Sequence, residues 1–243
     1  GVTLEPGVEE HLQAEVKELL AVTGMEQVDV VVRPPNLAAQ WAMGNLATLL
    51  ADLGDRWPGC SEELTDEIAV GLHLAEAMYN LRSASVAEQL RIEANEAMAR
   101  AFEEVDFIIA ATNPGPAFPA HAATSNEQPE IVERLFGPGP ARLAVRGALG
   151  AVRAVAGLAP KVPAKVLEQA ERRLPEMVTM GALTIISNIY GNPAVSIPAG
   201  TVDGLPVGLQ VLAPHHHDEL LFDVALAVER IRPWPLVAPS ITA

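Results

Sequence analysis

The sequence predicts an α/β protein, and three stretches carry that prediction. Residues 6–24 combine a helical apolar pattern with a following apolar run at 28–32. Residues 106–111 consist of Asp106 and a continuous apolar run, and they come directly after an amphipathic pattern. Residues 194–213 read as two short strands joined through Asp203 and Gly204, a dipeptide typical of hairpin turns. Helices that alternate with apolar strands are characteristic of α/β folds.

The first predicted helix begins at Pro6 and ends before Gly24. Its apolar residues are three or four positions apart and share one face. They are Val8, Leu12, Val16, Leu19 and Leu20. The run at 28–32 then predicts a short buried strand.

Three more helices are predicted from their capping residues. Asn36 is expected to cap the second helix and Ser61 the third. Ser85 and Glu88 have the spacing of a capping box and predict the start of the fourth helix. The expected inner face of that helix comprises Leu90, Ala94, Ala97, Met98, Ala101 and Phe102. The strand at 106–111 follows, and loops beyond such strands are usual ligand sites.

The C-terminal part is predicted to contain a helix or turn, the hairpin and a final helix. The stretch "GALTIISNIYGNP" leads into the hairpin, and Asp218 is expected to cap the last helix. The inward residues of this helix are Leu221, Val224, Ala225 and Val228.

Composition excludes several classes of protein. The formal net charge of −15 argues against nucleic-acid binding, which needs clustered Lys and Arg. The single cysteine, Cys60, allows no internal disulfide and fits a reducing compartment, so we expect a cytoplasmic protein. The apolar run at 143–160 contains Arg146, Arg153 and three glycines, which makes it a poor membrane span.

No complete catalytic set is visible in the sequence. The adjacent histidines 215–217 cannot all face one metal ion from an extended segment, so we interpret them as a polar turn. Cys60 would need a histidine partner such as His73 or His121 to act as a nucleophile. No G-x-S-x-G, G-x-G-x-x-G or P-loop pattern occurs. We therefore expect neither a metal nor another cofactor.

The hairpin and the residues before it resemble the amidase signature family. The family patterns N-x-x-G-x-P-A-x-S-x-P-x-G and G-x-P-x-G-x-Q are both matched. The matching residues are Asn188, Gly191, Pro193, Ala194, Ser196, Pro198, Gly200, Gly204, Pro206, Gly208 and Gln210. Upstream, "AFEEVDFIIAATNPGPAF" and the first 31 residues also look like segments of the family. The resemblance covers nearly the whole chain.

The resemblance implies the C-terminal half of an amidase-signature fold, with a mixed β-sheet core flanked by helices. Residues 1–243 would belong to one amidase domain, and residues 125–180, which are rich in Pro and Gly, would form a variable insert or cap. Family members hydrolyse amides with a Ser-Ser-Lys triad in their N-terminal half, beside a Gly/Ser-rich motif that this sequence lacks. We therefore assign no catalytic residue to this chain.

The expected role is that of the substrate-side half of an amidohydrolase, which is active only with an N-terminal half. That half would come from the same gene product or from a separate chain, and the substrate would be a small amide. The resemblance implies that Asn113, Phe118, Asn188, Ile189 and Tyr190 contact this substrate. The same residues could instead serve only in turns and packing.

Other interpretations stay open from the sequence. The chain could be a non-catalytic binding module that keeps part of the fold, or an independent metal enzyme that uses its histidines. A homodimer is also left open. The stretch 179–186 lacks the acid that amidotransferase subunits of the family carry there, which favours an amidase for neutral or apolar amides. Alone, the chain is expected to expose a sheet edge and to be poorly soluble.

Overall fold

The computed structural model describes residues 3–117, 147, 150–155, 157–159 and 183–234. Its helices are α1 (Pro6–Thr23), α2 (Ala38–Leu53), α3 (Asp66–Met78), α4 (Leu81–Phe102), α5 (Ile185–Tyr190) and α6 (Asp218–Ile231). Its strands are β1 (Ile108–Ala111), β2 (Ala194–Val202) and β3 (Leu205–Leu212). Short 3₁₀ turns lie at Gly54–Arg56 and Ser61–Glu63, and residues 150–155 are also helical. The α/β prediction is confirmed.

The chain divides into two compact units. Unit 1 consists of Gly1–Pro34, Ala94–Ala117 and Thr179–Ala243, and unit 2 of Pro35–Glu93 and Phe118–Val178. Of residues 125–180, the predicted insert or cap, the structure describes only 147, 150–155 and 157–159. In the ranges that the structure describes, no helix is both long and apolar enough to cross a membrane.

Unit 1 contains the antiparallel sheet β1-β3-β2. Ala111 and Ile197 both pair with Leu209, one from each side of the central strand β3. The β2–β3 turn is formed by Asp203 and Gly204, which both have positive φ, 52° and 78°. Positive φ at both central residues matches the twist of the strands in a two-residue hairpin. The predicted hairpin is confirmed.

Helices α1 and α6 cover one face of this sheet with apolar side chains. The buried members of the cluster are Val8, Leu12, Leu19, Ala111, Ile197, Ala199, Val207, Leu209, Val211, Ala213, Leu221 and Val224. Burial of a Val, Leu or Ile side chain contributes about 1.5–3 kcal/mol, so this face accounts for much of the stability of the unit. Arg232, just after α6, adds ion pairs with Glu15 and Glu18 of α1.

Unit 2 is helical in its described part, with α2 packed on α3. One buried cluster joins Met43, Ala75 and Met78, and a second joins Trp57, Cys60 and Leu72. Cys60 is a free, buried thiol that contributes to this packing.

The strand predicted at residues 28–32 does not form, so that prediction was wrong. These residues have no regular secondary structure, and Val28 and Val31 are 53% and 71% exposed. A strand is stabilised by a neighbouring strand and by burial of its side chains. In the described part of the chain this run has no neighbouring strand and is at most half-buried, at Val30 and Val32, so its apolar composition alone does not make it a strand.

Several predicted helix starts were wrong by a few residues. Helix α4 begins four residues before Ser85, because the Asn80 side-chain oxygen accepts hydrogen bonds from the Arg82 and Ser83 amides at 2.9 and 3.1 Å. The Ser83 hydroxyl accepts the Asn80 amide in return, at 2.8 Å. The N-caps of α2, α3 and α6 are Leu37, Thr65 and His217. The predicted inner face of α4 is correct at its centre, where Ala94, Met98 and Ala101 are buried.

Candidate functional site

Three of the predicted site residues lie together on α5. Asn188 is exposed, and its side-chain amide donates to the Thr184 carbonyl oxygen at 3.2 Å. Ile189 and Tyr190 are half-buried. The helix ends at Gly191, whose φ of 79° is a left-handed conformation that glycine adopts without a Cβ clash. The sequence thus places a short, uncharged helix directly before the hairpin.

Tyr190 and His215 hold the end of α5 against the turn after β3. The two rings have centroids 4.1 Å apart, and Tyr190 also stacks on Phe102 at 6.3 Å. His215 Nε2 lies 2.8 Å from the Tyr190 carbonyl oxygen and donates to it when protonated at that nitrogen. Burial raises the pKa of the Tyr190 hydroxyl, so it stays a neutral group at ordinary pH.

Asn192 fastens the same segment at a second point. It is 7% exposed, and its side-chain amide donates to the Ala213 and Pro193 carbonyl oxygens at 3.1 and 3.0 Å. The side-chain oxygen of Asn192, Oδ1, and the Ser187 hydroxyl are buried without a hydrogen-bond partner among the described residues. Such unpaired groups are uncommon in folded proteins, and they mark positions where a water, a ligand or a further chain is expected.

The loop after β1 is positioned by a contact across Gly208. The Thr112 and Ser196 hydroxyls lie 2.7 Å apart, and the Thr112 amide donates to the Gly208 carbonyl oxygen at 2.9 Å. A Cβ on Gly208 would come within 2.7 and 2.8 Å of these two hydroxyl oxygens, so only glycine leaves room for the pair. Asn113, the next residue, is exposed beyond this contact.

The arrangement divides the predicted site residues into two groups. Asn188, Ile189 and Tyr190 are adjacent on α5, whereas Asn113 lies at the end of β1, and Phe118 is outside the described residues. Gln210 of β3 connects the sheet to the start of the α5 segment, since its side-chain amide donates to the Leu183 carbonyl oxygen at 3.1 Å.

Two residues that fasten α5, His215 and Asn192, were not predicted from the sequence. The position of His215 between a strand and a helix was recognised, but its contact partner lies 25 residues away and has no local signal. Asn192 lies inside the recognised motif, between Gly191 and Pro193, at a position that the motif leaves variable, and the sequence did not indicate that it fastens the segment.

The histidine triplet forms a polar turn, as predicted. His215 contacts Tyr190, His216 is exposed with a φ of 66°, and His217 Nδ1 lies 3.2 Å from a Glu219 carboxylate oxygen. The His215 and His216 rings lie 6.2 Å apart, and the polar contacts of His215 and His217 go to different partners. Within the described ranges, no group of three or more His, Cys, Asp or Glu side chains could hold a metal ion.

His73 is the second histidine with a distinct environment, in unit 2. Its ring lies 4.6 Å from that of Trp57, and Glu76 Oε2 is 4.0 Å from its Nδ1. Burial lowers the pKa of His73, and the Glu76 carboxylate only partly offsets this effect. The ring is therefore held mostly as a neutral packing group.

Comparison with known proteins finds one family and several relatives. The family model described as Amidase matches residues 153–222, which include α5 and the hairpin. A glutamyl-tRNA(Gln) amidotransferase subunit from Pseudomonas entomophila is 27% identical over 269 residues, which cover 99% of this chain. The chain spans 45% of the length of that relative.

Solved structures share the fold at low identity. A bacterial aryl acylamidase of the amidase signature enzymes has a TM-score of 0.57 at 18% identity, and the match covers 96% of this chain and 41% of that one. A 6-aminohexanoate cyclic dimer hydrolase has a TM-score of 0.62 at 18% identity, with coverages of 95% and 42%.

Proposed function

Since this chain belongs to the amidase signature family, we propose that it is the substrate-side half of an amidohydrolase. The reaction would be cleavage of a carboxamide C–N bond. The observation that carries the proposal is the match of 99% of the chain to 45% of the length of a relative. The other part would be an N-terminal half with the Ser-Ser-Lys triad, in the same gene product or as a separate chain.

The chemistry divides naturally between two such halves. Amide hydrolysis by a serine needs an activated hydroxyl that attacks the carbonyl carbon, a proton for the leaving amine, and water to release the acyl group. The triad of the N-terminal half would supply the hydroxyl and transfer the proton, and the water would come from solvent. This chain would bind and orient the amide, which lowers the barrier by holding the carbonyl beside the nucleophile.

Helix α5 would form the main contact with the substrate. Ile189 and Tyr190 would contribute apolar area, and Asn188 would offer an amide to the polar end of the ligand. Asn113 and Phe118, which follow β1 in the sequence, would also contact the substrate. The contact of His215 with Tyr190, which we call the clamp, supports this role, because a binding segment must be held in one geometry to orient its ligand.

The substrate would be a neutral or apolar amide. The described residues 183–192 carry no charged side chain, so a substrate amino group would find no counter-charge there. The second candidate is an amidotransferase component that hydrolyses glutamine, and the name of the Pseudomonas entomophila relative favours it. Both candidates use the same reaction and differ in the ligand that α5 would face. A cytoplasmic location would suit the free thiol of Cys60.

Co-production of this chain with an N-terminal half tests the proposal. We expect hydrolysis of apolar amides such as an anilide by the two halves together, and none by either alone. Replacement of the triad lysine in the N-terminal half by alanine is the control and should abolish the activity. Hydrolysis by this chain alone would refute the proposal. A preference for glutamine would select the second candidate, and a stable but inactive complex would indicate a binding module.

A further inference from the structure

Helix α1 begins beside the loop that follows β1, and Glu5 joins the two. The Glu5 amide donates to the Pro114 carbonyl oxygen at 2.9 Å. The Glu5 side chain lies against the next residue of the loop, because a Cβ on Gly115 would come within 2.8 Å of the Glu5 Cδ. The residue before α1 thus contacts two successive residues of the loop that contains Asn113.

The backbone of Glu5 serves the helix and the loop at once. As the N-cap of α1, Glu5 accepts the Val8 and Glu9 amides with its carbonyl oxygen, at 2.9 and 3.0 Å. Its φ of −64° and ψ of 136° are extended, as is usual at an N-cap. The amide of an N-cap residue has no acceptor inside its own helix. The hydrogen bond to Pro114 therefore does not compete with the start of α1.

Asn113 lies between two anchored residues. Before it, the Thr112 amide donates to the Gly208 carbonyl oxygen at 2.9 Å. After it, Pro114 is buried and accepts the Glu5 amide. A residue that precedes proline is also restricted to extended conformations. The backbone of Asn113 is therefore held on both sides, although the residue itself is exposed.

We infer that Glu5 is a positioning residue, whose amide holds Asn113 in one orientation. This inference rests on the proposed function, in which Asn113 contacts the substrate. An exposed polar side chain orients a ligand only when its backbone is held in place. Without the hydrogen bond from Glu5, the Pro114 side of Asn113 would lose its anchor to α1, and Asn113 would sample more orientations. Substrate binding would then weaken, while the groups that cleave the amide would be unchanged.

Glu5→Pro removes the anchoring group and little else. Proline has no amide hydrogen and fixes φ at about −65°, and Glu5 already has a φ of −64°. The carbonyl oxygen of residue 5, which accepts the first amides of α1, is kept, so the variant should fold. Glu5→Ala is the conservative variant, because it removes the carboxylate and keeps the amide.

Nuclear magnetic resonance of the isotope-labelled chain tests the anchor without any activity. In the unsubstituted chain, the Glu5 amide hydrogen should exchange at least about tenfold more slowly than in an unfolded peptide. The backbone order parameter of Asn113 should be about 0.85, fall below about 0.6 in Glu5→Pro and return to its original value in Glu5→Ala. Unprotected exchange of the Glu5 amide, a measurement that needs no substitution, would overturn the inference.

Kinetics of a complex test whether Glu5 acts through Asn113. The complex consists of this chain and the N-terminal part of the Pseudomonas entomophila relative that has no counterpart here, with an anilide and with glutamine as substrates. We expect Glu5→Pro to raise KM about fivefold and to change kcat less than about twofold, as for the loss of one hydrogen bond that acts in binding. Glu5→Ala should restore KM.

The same substitution in an Asn113→Ala background gives the decisive comparison. If Glu5 acts by holding Asn113, Glu5→Pro should have almost no further effect on KM once the Asn113 side chain is gone. A residue that contributes only to folding would lower the activity by the same factor in both backgrounds. Additive effects of the two substitutions would therefore overturn the inference.

The two measurements distinguish this inference from the proposed function. A mobile Asn113 in Glu5→Pro, together with an unsubstituted complex that hydrolyses neither substrate, would support the anchor and refute the amidohydrolase. Hydrolysis by the complex, with Asn113 as rigid in Glu5→Pro as in the unsubstituted chain, would leave the enzyme and overturn the anchor.

Discussion

Replacement of Gly208 by alanine tests whether the hydroxyl pair across β3 positions the loop after β1. The new Cβ would lie 2.7 Å from Thr112 Oγ1, 2.8 Å from Ser196 Oγ and 3.2 Å from Thr112 Cβ. Two of these distances are shorter than real Cβ contacts, so the two hydroxyls must move apart and Thr112 must give way by a few tenths of an ångström. Overpacking of this kind costs about 1–3 kcal/mol. Loss of the hydrogen bond adds about 1 kcal/mol.

The expected total is a loss of about 2–4 kcal/mol in the free energy of unfolding. Urea denaturation followed by circular dichroism should show a midpoint lower by about 1–2 M. Exchange of the Thr112 amide hydrogen, which bonds to the Gly208 carbonyl oxygen, gives a local measurement on the same variant. Faster exchange there would place the damage at this contact.

Two further variants make the reasoning refutable. Gly44→Ala in α2 is the matched control, because a Cβ there meets nothing within 4 Å and should raise stability by up to about 1 kcal/mol. In the double variant Gly208→Ala/Ser196→Ala one of the two short contacts is gone, so the losses should be less than additive. An unchanged midpoint for Gly208→Ala, or strictly additive losses, would refute the packing argument.

Two other predictions concern histidines. His73→Phe should remove a pH dependence: burial lowers the pKa of this ring below 6.5, so the unfolded chain binds more protons and stability falls as pH drops below about 6.5. If the unfolding midpoint of this variant still declines as steeply in acid, His73 is not the cause. His215→Ala should cost about 1–2 kcal/mol, through the lost hydrogen bond and the lost contact with the Tyr190 ring. In the proposed complex with an N-terminal half, the variant should raise KM more than it lowers kcat. His216→Asn is its control, since His216 is exposed and asparagine tolerates positive φ; equal effects of the two variants would contradict the clamp.

Local signals predicted the hairpin and the ends of α1 correctly. Asp203 with Gly204 specifies a turn from two residues, and Pro6 with Gly24 bounds a helix with one apolar face. These features depend on residues that are neighbours in the chain. The start of α4 was predicted at the wrong residue because Asn80 and Ser85 are both good N-cap residues. Which of them caps the helix depends on the path of the backbone.

Features that depend on distant residues were not predictable from the sequence. Residues 28–32 have the composition of a buried strand, but whether they form one depends on a neighbour that the sequence of the run does not encode. Likewise, the contacts of His215 with Tyr190 and of Gln210 with Leu183 join segments that are 25 and 27 residues apart. The position of α5 before the hairpin was predicted, whereas the groups that hold it were not.

The family motif gains a different meaning from the geometry of its residues. Gly191, Gly200 and Gly204 have positive φ, and Gly208 leaves room for two hydroxyls. Each of these requirements concerns the path of the backbone, and none concerns bond cleavage. Selection for folding alone would therefore preserve this motif, so a pseudoenzyme would carry it as faithfully as a working hydrolase. A genome survey that searches for this motif would therefore find proteins that share the fold. A separate search for the catalytic triad would be needed to find the active enzymes among them.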